Sequence, residues 1–450
     1  MSGQNVNPFY RTSDQFLLDS YTGQGGYFWG WYLEQFPSET AENYTARQRT
    51  SVYPNFVGKM VRTQSGFLWK RCPNRESGDL YAAFVADADG ASTDLDMLLQ
   101  NWQVLAMVLG TVYIIVDKPA GQPASRAEER LPYLCLRLPA ECQNPVLDAR
   151  GRMISGTFTE ARDGAVVYRH FAADGWKLTA DADGRETIEQ GEYRFGRAPV
   201  VRLHSTMPLL PGDLCAQGWA HDLIQMNWDL YNQASELRDL FRAQTFAQLA
   251  LPANDLAERD RLANLTMGSH NALTFDPSNG GKPFYFAPPP DPIEQYQAAI
   301  ANTIDLIYKF ANLEFVQNAK SGRSGVSLSF DFEQANAGMA SMAALCERAE
   351  REIAHLVSAW MGQDFVGSIV YSRDFNLVDL AEELKQGIEA VDLNISRTFD
   401  VELKKRLARR VLGHGAPAAT MEEIDTEIEA GGDPYGDRAM KKAGGLGALS

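Results

Sequence analysis

The residues of this chain that could do chemistry are plentiful but are not arranged as a known reactive set. Asp87, Asp89, Gly90 and Asp96 have the composition of a calcium loop. The first ligand position of such a loop falls on Val85, so a helix-capping turn is the better reading. Gly23-Gln24-Gly25-Gly26 is glycine-rich but lacks the Lys-Ser/Thr of a phosphate loop and follows no strand, which leaves a turn. Cys72, Cys135, Cys142, Cys215 and Cys346 are odd in number and have no CxxC spacing, so buried free thiols are expected rather than disulfides or zinc. His221 and His355 lie in helical patterns without a partner one turn on, as structural or surface histidines do. There is no Gly-x-Ser-x-Gly elbow and no HExxH. No cofactor is expected. A soluble hydrolase using two carboxylates is the remaining enzymatic alternative, and no spacing singles out such a pair.

Two groups of basic residues stand out in a chain of 450 residues whose formal net charge is −16. One is Lys320-Ser321-Gly322-Arg323-Ser324-Gly325, the centre of a Gly/Ser-rich loop; the other is Lys404, Lys405, Arg406, Arg409 and Arg410 on a helical stretch. Taken alone, the first reads as a solvated connector and the second as a solvated or salt-bridged face. An acidic protein is poorly suited to gripping nucleic acid by neutralising many phosphates. It suits a wall past which a polyanion must slide.

The elements that position these groups follow from pattern. The composition, 45% hydrophobic and 22% charged, is that of a globular chain of two to four subdomains. No run of about 18 apolar residues suggests a membrane helix, and the polar start has no signal-peptide pattern, so use in a cytosol is expected. The first 110 residues read as helical, with Thr93-Asp94-Leu95-Asp96 as a capping box opening a helix. Thr111–Val116 reads as a buried strand. From Pro132 to Ser205, short alternating runs (133–138, 153–159, 166–170, 176–179, 192–195 and 199–203) and three Asp-Gly pairs predict one antiparallel meander. A long helix over 216–248 carries a seam of Trp219, Leu223, Met226, Leu230, Ala234, Leu237 and Phe241. At 1.5 Å per residue it would run roughly 48 Å. A second helix, from Asp291, has the seam Ile293, Tyr296, Ile300, Ile304 and Ile307. A third spans 334–361 with Met339, Met342, Cys346, Ala349, Ile353, Leu356 and Trp360. These seams are either core or packing surfaces between neighbouring subunits, and narrow seams on long helices favour many copies side by side about one axis. Helices over 377–392, 396–412 and 420–430 and a Gly-rich tail close the chain.

The segments now on the page resemble one family. Tyr32-Leu33, the run ENYTARQRTSVYPN from Glu42 to Asn55, Val57–Pro73, Asp89-Gly90 through Leu109-Gly110, and Val116-Asp117-Lys118-Pro119 resemble the N-terminal part of tailed-bacteriophage portal proteins. SGRSGVSLSFDFE from Ser321 to Glu333, Ala359-Trp360-Met361-Gly362, and LAEELK from Leu380 to Lys385 resemble its later part. Each motif is modest; their order and spacing over roughly residues 27–430 carry the resemblance.

That resemblance implies an α+β portal fold: wing 1–215, stem helix 216–248, clip 249–290, second stem helix 291–313, tunnel loop 314–333, spine helix and return strand 334–376, crown helices 377–430 and tail 431–450. It implies a ring, usually of twelve subunits, at one capsid vertex. Double-stranded DNA would be packaged and ejected through its channel, with terminase and then a head–tail adaptor docking on it. Major capsid and scaffolding proteins would be further partners, with no membrane, and the site would be the virion, assembled in the host cytoplasm. Lys320, Ser321, Arg323 and Ser324 would face DNA from the tunnel loop. Lys404, Lys405, Arg406, Arg409 and Arg410 would meet it at the crown. Trp219, Leu223, Leu230, Leu237, Ile300, Ile307, Met342, Ile353 and Trp360 would pack stem and spine. Twelve copies would bring on the order of −190 formal charges to the ring. The alternative of the same structural class is another oligomeric capsid or head–tail component without a DNA channel.

Overall fold

The computed structural model describes residues 13–119, 130–210, 212–245, 248–263, 266–267, 270–271, 273–276, 281–286, 291–314, 316, 325–373, 375, 389–390, 395–412 and 418–430. The protein mixes helix and sheet, as an α+β chain does, and divides into two units, residues 1–375 and 376–450.

The N-terminal helices are set by their caps. Ser13 opens α1 (Asp14–Thr22) by accepting from Phe16 N at 3.2 Å, and Gly23, at φ 71°, ends it. Thr40 and Asn55 cap α2 (Ala41–Thr50) and α3 (Phe56–Leu68) in the same way. After β1 (Asn74–Ser77) and α4 (Asp79–Ala86) comes α5 (Leu95–Leu109). Its cap is Asp94, which accepts from Met97 N at 2.8 Å, one residue later than the expected box on Thr93. Thr93 instead gives its own N–H to Asp89.

Strand β2 (Thr111–Asp117) is buried at every position because it has a core on each face. Val112, Ile114 and Val116 enter the main core with Leu99, Met107, Met342 and Ile353; Tyr113 and Ile115 enter a second core with Met153, Phe158 and Phe171. The expected single meander is in fact two sheets. β3 (Tyr133–Arg137) and β9 (Val200–His204) flank β2 on either edge, both antiparallel. Between them in sequence, β4 (Cys142–Leu147), β5 (Met153–Arg162), β6 (Ala165–Phe171), β7 (Gly175–Thr179) and β8 (Thr187–Glu192) form a separate five-stranded meander. The division follows from burial: a strand as apolar as β2 must be paired on both edges, and only the apolar ends of the segment can do that. β4 is hidden in the sequence by Pro145 and by Asn144 at φ 49°, where the register shifts. Of the run at 192–195, Glu192 ends β8 and the rest is not strand. Tyr193 and Phe195 stack on each other, and the Phe195 ring meets that of Trp360 edge-on, with centroids 4.9 Å apart in both pairs. Of the three Asp-Gly pairs, Asp163-Gly164 makes the two-residue hairpin, with φ of 52° and 80°.

Helix α6 (His221–Thr245) leads to β10 (Gln248–Pro252), α7 (Leu256–Ala263), the short β11 (Thr266–Met267) and β12 (His270–Asn271), then β13 (Leu273–Phe275) and β14 (Phe284–Phe286). β10 lies centrally, parallel to β13 and antiparallel to β14. The chain returns along α8 (Asp291–Phe310). α9 (Gly325–Trp360) then begins nine residues before the expected start, so the second half of the expected 314–333 loop is helical. Its Ser and Phe alternation hid that turn of helix from a reading based on seams. β15 (Gly367–Val370) pairs antiparallel with β1, tying the two ends of the first unit together.

The tie is electrostatic as well. Glu350 on α9 is fully buried. Arg75 on β1 donates to both its oxygens, at 2.6 and 3.1 Å. Tyr81 on α4 and Tyr371 after β15 donate at 3.1 and 2.6 Å. Arg75 also meets Asp96 on α5. Burial and the adjacent Glu350 charge push both tyrosine hydroxyls up, so they act as donors at any working pH. Replacement of Glu350 by Ala leaves Arg75 buried without its main partner and should cost about 3–5 kcal/mol. Denaturant unfolding of the Glu350→Ala chain checks this; a wild-type midpoint would remove the network from the list of what holds the fold.

His204, at the end of β9, has a second signature. Its Nδ1 lies 2.8 Å from Thr111 Oγ1, which accepts Ala216 N at 2.9 Å, so the threonine hydroxyl is left to donate to an unprotonated ring nitrogen. Burial, then Arg202 and Arg348, lower its pKa to about 3. The unfolded chain therefore binds a proton that the native chain refuses between that value and the ordinary one near 6.5. The stability due to His204 is whole above pH ~6.5 and falls as the pH drops, by up to about 1.4 kcal/mol per pH unit. The melting temperature of a His204→Asn chain should fall less steeply from pH 6.5 to 4 than that of the wild type. Parallel curves would refute the assignment.

Candidate functional site

Helices α6 and α8 run antiparallel, with Thr303 Oγ1 donating to Gln233 at 3.2 Å and Tyr296 hydrogen-bonded to Glu236 nearer the small sheet. Their lower parts belong to a third core of Met60, Leu223, Leu230, Ile307, Tyr308 and Leu313. Among the described residues, burial on α6 ends at Ser235 and on α8 begins at Thr303. Arg238 and Arg242 fasten α6 to Thr50 at the end of α2. Beyond that, among the described residues, the two helices shelter each other. From Ile293 to Asn302 just Ile293, Tyr296 and Ile300 are partly sheltered, a single stripe against α6. The three-stranded sheet at the end of the pair leaves Leu273, Phe284 and Tyr285 48%, 50% and 64% exposed.

The expected seams divide accordingly. Leu223, Leu230 and Ile307 are buried in the third core, with Trp219 and Ile300 packed at its edge. Met342 and Ile353 are buried in the main core. Trp360 is partly buried between the main and second cores and donates to Val116 O at 2.9 Å. Leu237 is half-buried and Phe241 42% exposed. Most of the seam is thus used to fold the chain itself, which corrects the expectation that narrow seams make sense only between copies. The apolar stripes are narrow because short helices and loops of the same chain cover them.

Lys320, Ser321, Arg323 and Ser324 lie outside the described residues. Helix α10 (Arg397–Leu412), in the second unit, carries Lys404, Lys405, Arg406, Arg409 and Arg410. It packs on α11 (Ala418–Ala430). Lys405 meets Glu429 at 2.5 Å and Arg409 meets Asp425 at 2.6 Å; Lys404 is exposed. Lys405 and Arg409 are therefore engaged across the helix pair, as the salt-bridged reading of this face expects. The expected helix over 377–392 falls almost wholly outside the described residues.

The remaining candidates resolve into structure. The carboxylates of the suspected calcium loop are all engaged: Asp89 accepts from Ala91 N and Thr93 N at 2.8 and 3.0 Å, Asp87 accepts from Ser92 N at 2.8 Å, and Asp96 meets Arg75. The glycine-rich turn does seat an anion, but it is the chain's own. Asp19 accepts from Gly26 N at 2.9 Å, Tyr32 Oη at 2.8 Å and Gln15 Nε2 at 2.7 Å. A Cβ on Gly25 would come within 2.1 Å of that carboxylate, which is why glycine stands there. Only Cys346 of the five thiols is buried; Cys72 and Cys215 are exposed and the other two half-buried, correcting the expectation of buried thiols. Both exposed thiols lie in irregular segments, where no apolar periodicity signals burial. Among the described residues no cluster could hold a metal ion.

Two features escaped the sequence reading. Phe28, Trp29 and Trp31 are 65%, 59% and 61% exposed on the turns between α1 and α2, and the aromatic density of YFWGWY was the available signal. Arg152, Arg202, His204, Arg348 and Glu352 line a small hollow. They come from β5, β9 and α9 or positions next to them, so no local spacing could reveal it.

No protein-family model and no curated protein matches the sequence. Solved structures similar to this chain include three from gene transfer agent particles. A chain in the neck of the empty particle is 13% identical with a TM-score of 0.44, covering 78% of this chain and 90% of its own. One in the virion of the native particle is 13% identical with a TM-score of 0.43, covering 87% and 99%. One in the neck of the native particle is 14% identical with a TM-score of 0.40, covering 87% and 95%.

Proposed function

We propose that this chain is a portal-type subunit: a non-enzymatic component of a phage-like particle that assembles into a ring, usually twelve-membered, around double-stranded DNA. The observation that carries the reading is the α6–sheet–α8 element. Among the described residues, neither helix has a buried residue outward of Ser235 on α6 and Thr303 on α8, Ala250 is buried in the sheet, and the end displays Leu273, Phe284 and Tyr285. Copies standing side by side would cover those faces, and a heterologous contact repeated about an axis closes into a ring. The order of elements agrees with the order the sequence resemblance implies: mixed wing, stem helix, small clip, stem helix, long spine helix and terminal helices. The buried seams of the lower stem and spine are not part of this support.

In this reading Lys320, Ser321, Arg323 and Ser324 touch phosphates in passing from the tunnel loop. Lys405 and Arg409 are occupied by Glu429 and Asp425, so a crown contact with DNA falls to the other members of the cluster, of which Lys404 is exposed. A net charge of −16 per copy keeps the duplex from adhering. Terminase and a head–tail adaptor would dock on the clip end, and capsid and scaffolding proteins around the wing.

Electron microscopy and native mass measurement of the purified full-length chain test the assembly. Rings of about twelve copies with a central hole are expected. A monodisperse monomer at all concentrations, or a closed assembly with no hole, would overturn the reading, the latter in favour of a head–tail component without a channel. For the loop, particles carrying Lys320→Ala/Arg323→Ala should package shortened genomes or lose infectivity. Wild-type genome length and infectivity would remove the DNA contact.

A further inference from the structure

The hollow between β9, α9 and the turn before β5 is lined by three guanidinium groups, from Arg152, Arg202 and Arg348, by His204 and by one carboxylate, Glu352. Gly151 and three apolar side chains complete the lining, and every residue of it is among those described. Glu352 is already engaged. Arg197 donates to its Oε2 at 3.0 Å, and its Oε1 lies 3.8 Å from Arg348 Nε. At that second distance the charges attract but no hydrogen bond forms. Asp148, which is not part of the lining, accepts from Arg150 N, Arg152 N and Arg152 Nε, each at 2.8 Å. Its carboxylate is spent on holding the turn and Arg152.

Donors are left over inside. Arg202 gives three of its five N–H groups to carbonyls, those of Asp213, Leu214 and Gly151, at 2.8, 3.2 and 2.5 Å. None of its hydrogen-bond partners among the described residues is a carboxylate. His204 is 8% exposed. Its Nδ1 takes the Thr111 hydroxyl proton, so the neutral ring carries its own proton on Nε2. Among the described residues that N–H has no partner, where buried polar groups are almost always paired. The charge balance agrees. Burial, and then the Arg348 charge, hold Arg202 below the usual guanidinium range, and Arg202 and Arg348 push the His204 imidazole further down than burial does alone. A water molecule would satisfy the N–H and leave this positive potential in place. An anion answers both.

We infer that the hollow is a binding site for one small oxyanion group, a phosphate or a carboxylate, held by Arg202 and the His204 Nε2–H inside and by Arg348 and Arg152 at the mouth. The two outer side chains are 52% and 40% exposed, so the guest enters from solvent. Guanidinium groups take either oxyanion through paired N–H bonds. A bound anion pins the turn before β5 to β9 and α9, and so ties the meander to the long helix. The inference does not depend on the ring reading.

Calorimetric titration of the full-length chain with inorganic phosphate, and separately with acetate, at constant ionic strength and near neutral pH tests it. One phosphate per chain should bind saturably. Arg152→Gln/Arg348→Gln removes the two outer guanidiniums, leaves the interior untouched, and should weaken binding tenfold or more. Arg185→Gln, at a side chain 81% exposed beside β8, should leave it unchanged. Nitrogen NMR of the histidine-labelled chain places the guest. Phosphate should move the His204 Nε2 resonance, identified by its loss in His204→Asn, in the wild type and not in the double variant. Saturable acetate binding in place of phosphate would keep the site and assign it to a carboxylate, such as an acidic side chain of a second copy. No saturable binding of either probe, equal binding to the wild type and the double variant (an adventitious ion only), or an unmoved His204 resonance would overturn the inference.

Discussion

Glu350 has no access to water, and β1, α4, α5 and the return strand β15 are arranged in consequence. A buried carboxylate needs a counter-charge and donors on both oxygens, or it costs the fold several kcal/mol. Here the donors come from β1, α4 and the residue after β15, far apart in sequence. Satisfying one side chain thus fixes where the chain's early helices meet its late return strand. The β1–β15 ladder has only four residue pairs and would be marginal by itself. Anchored by Arg75 at its second position, it becomes the clasp that holds α9 against α5 and β2. A second carboxylate, Glu347, works one turn earlier. It accepts Tyr371 N at 3.1 Å and meets Arg373 and Arg351 at 2.9 and 2.7 Å.

What could be read in the sequence was whatever is local. Helices α3, α5, α6, α8 and α9 announce themselves by seams and caps, and β2 by an unbroken apolar run. Elements whose reason is tertiary could not be read so well. β1, with the sequence Asn-Arg-Glu-Ser, has no strand propensity; it is a strand because β15 and Glu350 need Arg75 there. β8 is almost wholly exposed and polar, an edge strand specified by its neighbour β7. The division of one expected meander into two sheets turns on which strands pair with β2, and alternation within a strand says nothing about partners across a sheet. The candidate site follows the same rule. The basic helix was visible, but its acidic partner α11 mattered as much and was read only as another helix.

The seams teach a related lesson about inferring assembly from amphipathicity. A narrow apolar stripe is compatible with a neighbouring subunit or with the chain's own short elements, and periodicity does not discriminate. Burial does. Leu223, Leu230 and Ile307 are spent inside the chain, so nothing about them asks for another copy. Farther along the same helices, among the described residues, the stripe of Ile293, Tyr296 and Ile300 lies on α6 and the small sheet shows aromatic side chains to solvent, and these are the faces that the proposed ring would cover.

Charge then separates what assembly must hold from what it must let pass. A ring of acidic copies would resist its own closure, so contacts between copies have to be either apolar or locally complementary. The end of the α6–α8 pair offers the first. An apolar contact consumes none of the net negative charge. The duct would therefore keep the repulsive potential that lets a polyanion move, while its own copies stay attached. A protein that bound DNA through its surface at large could not do both, because neutralising phosphates and sliding past them require opposite signs of the same field.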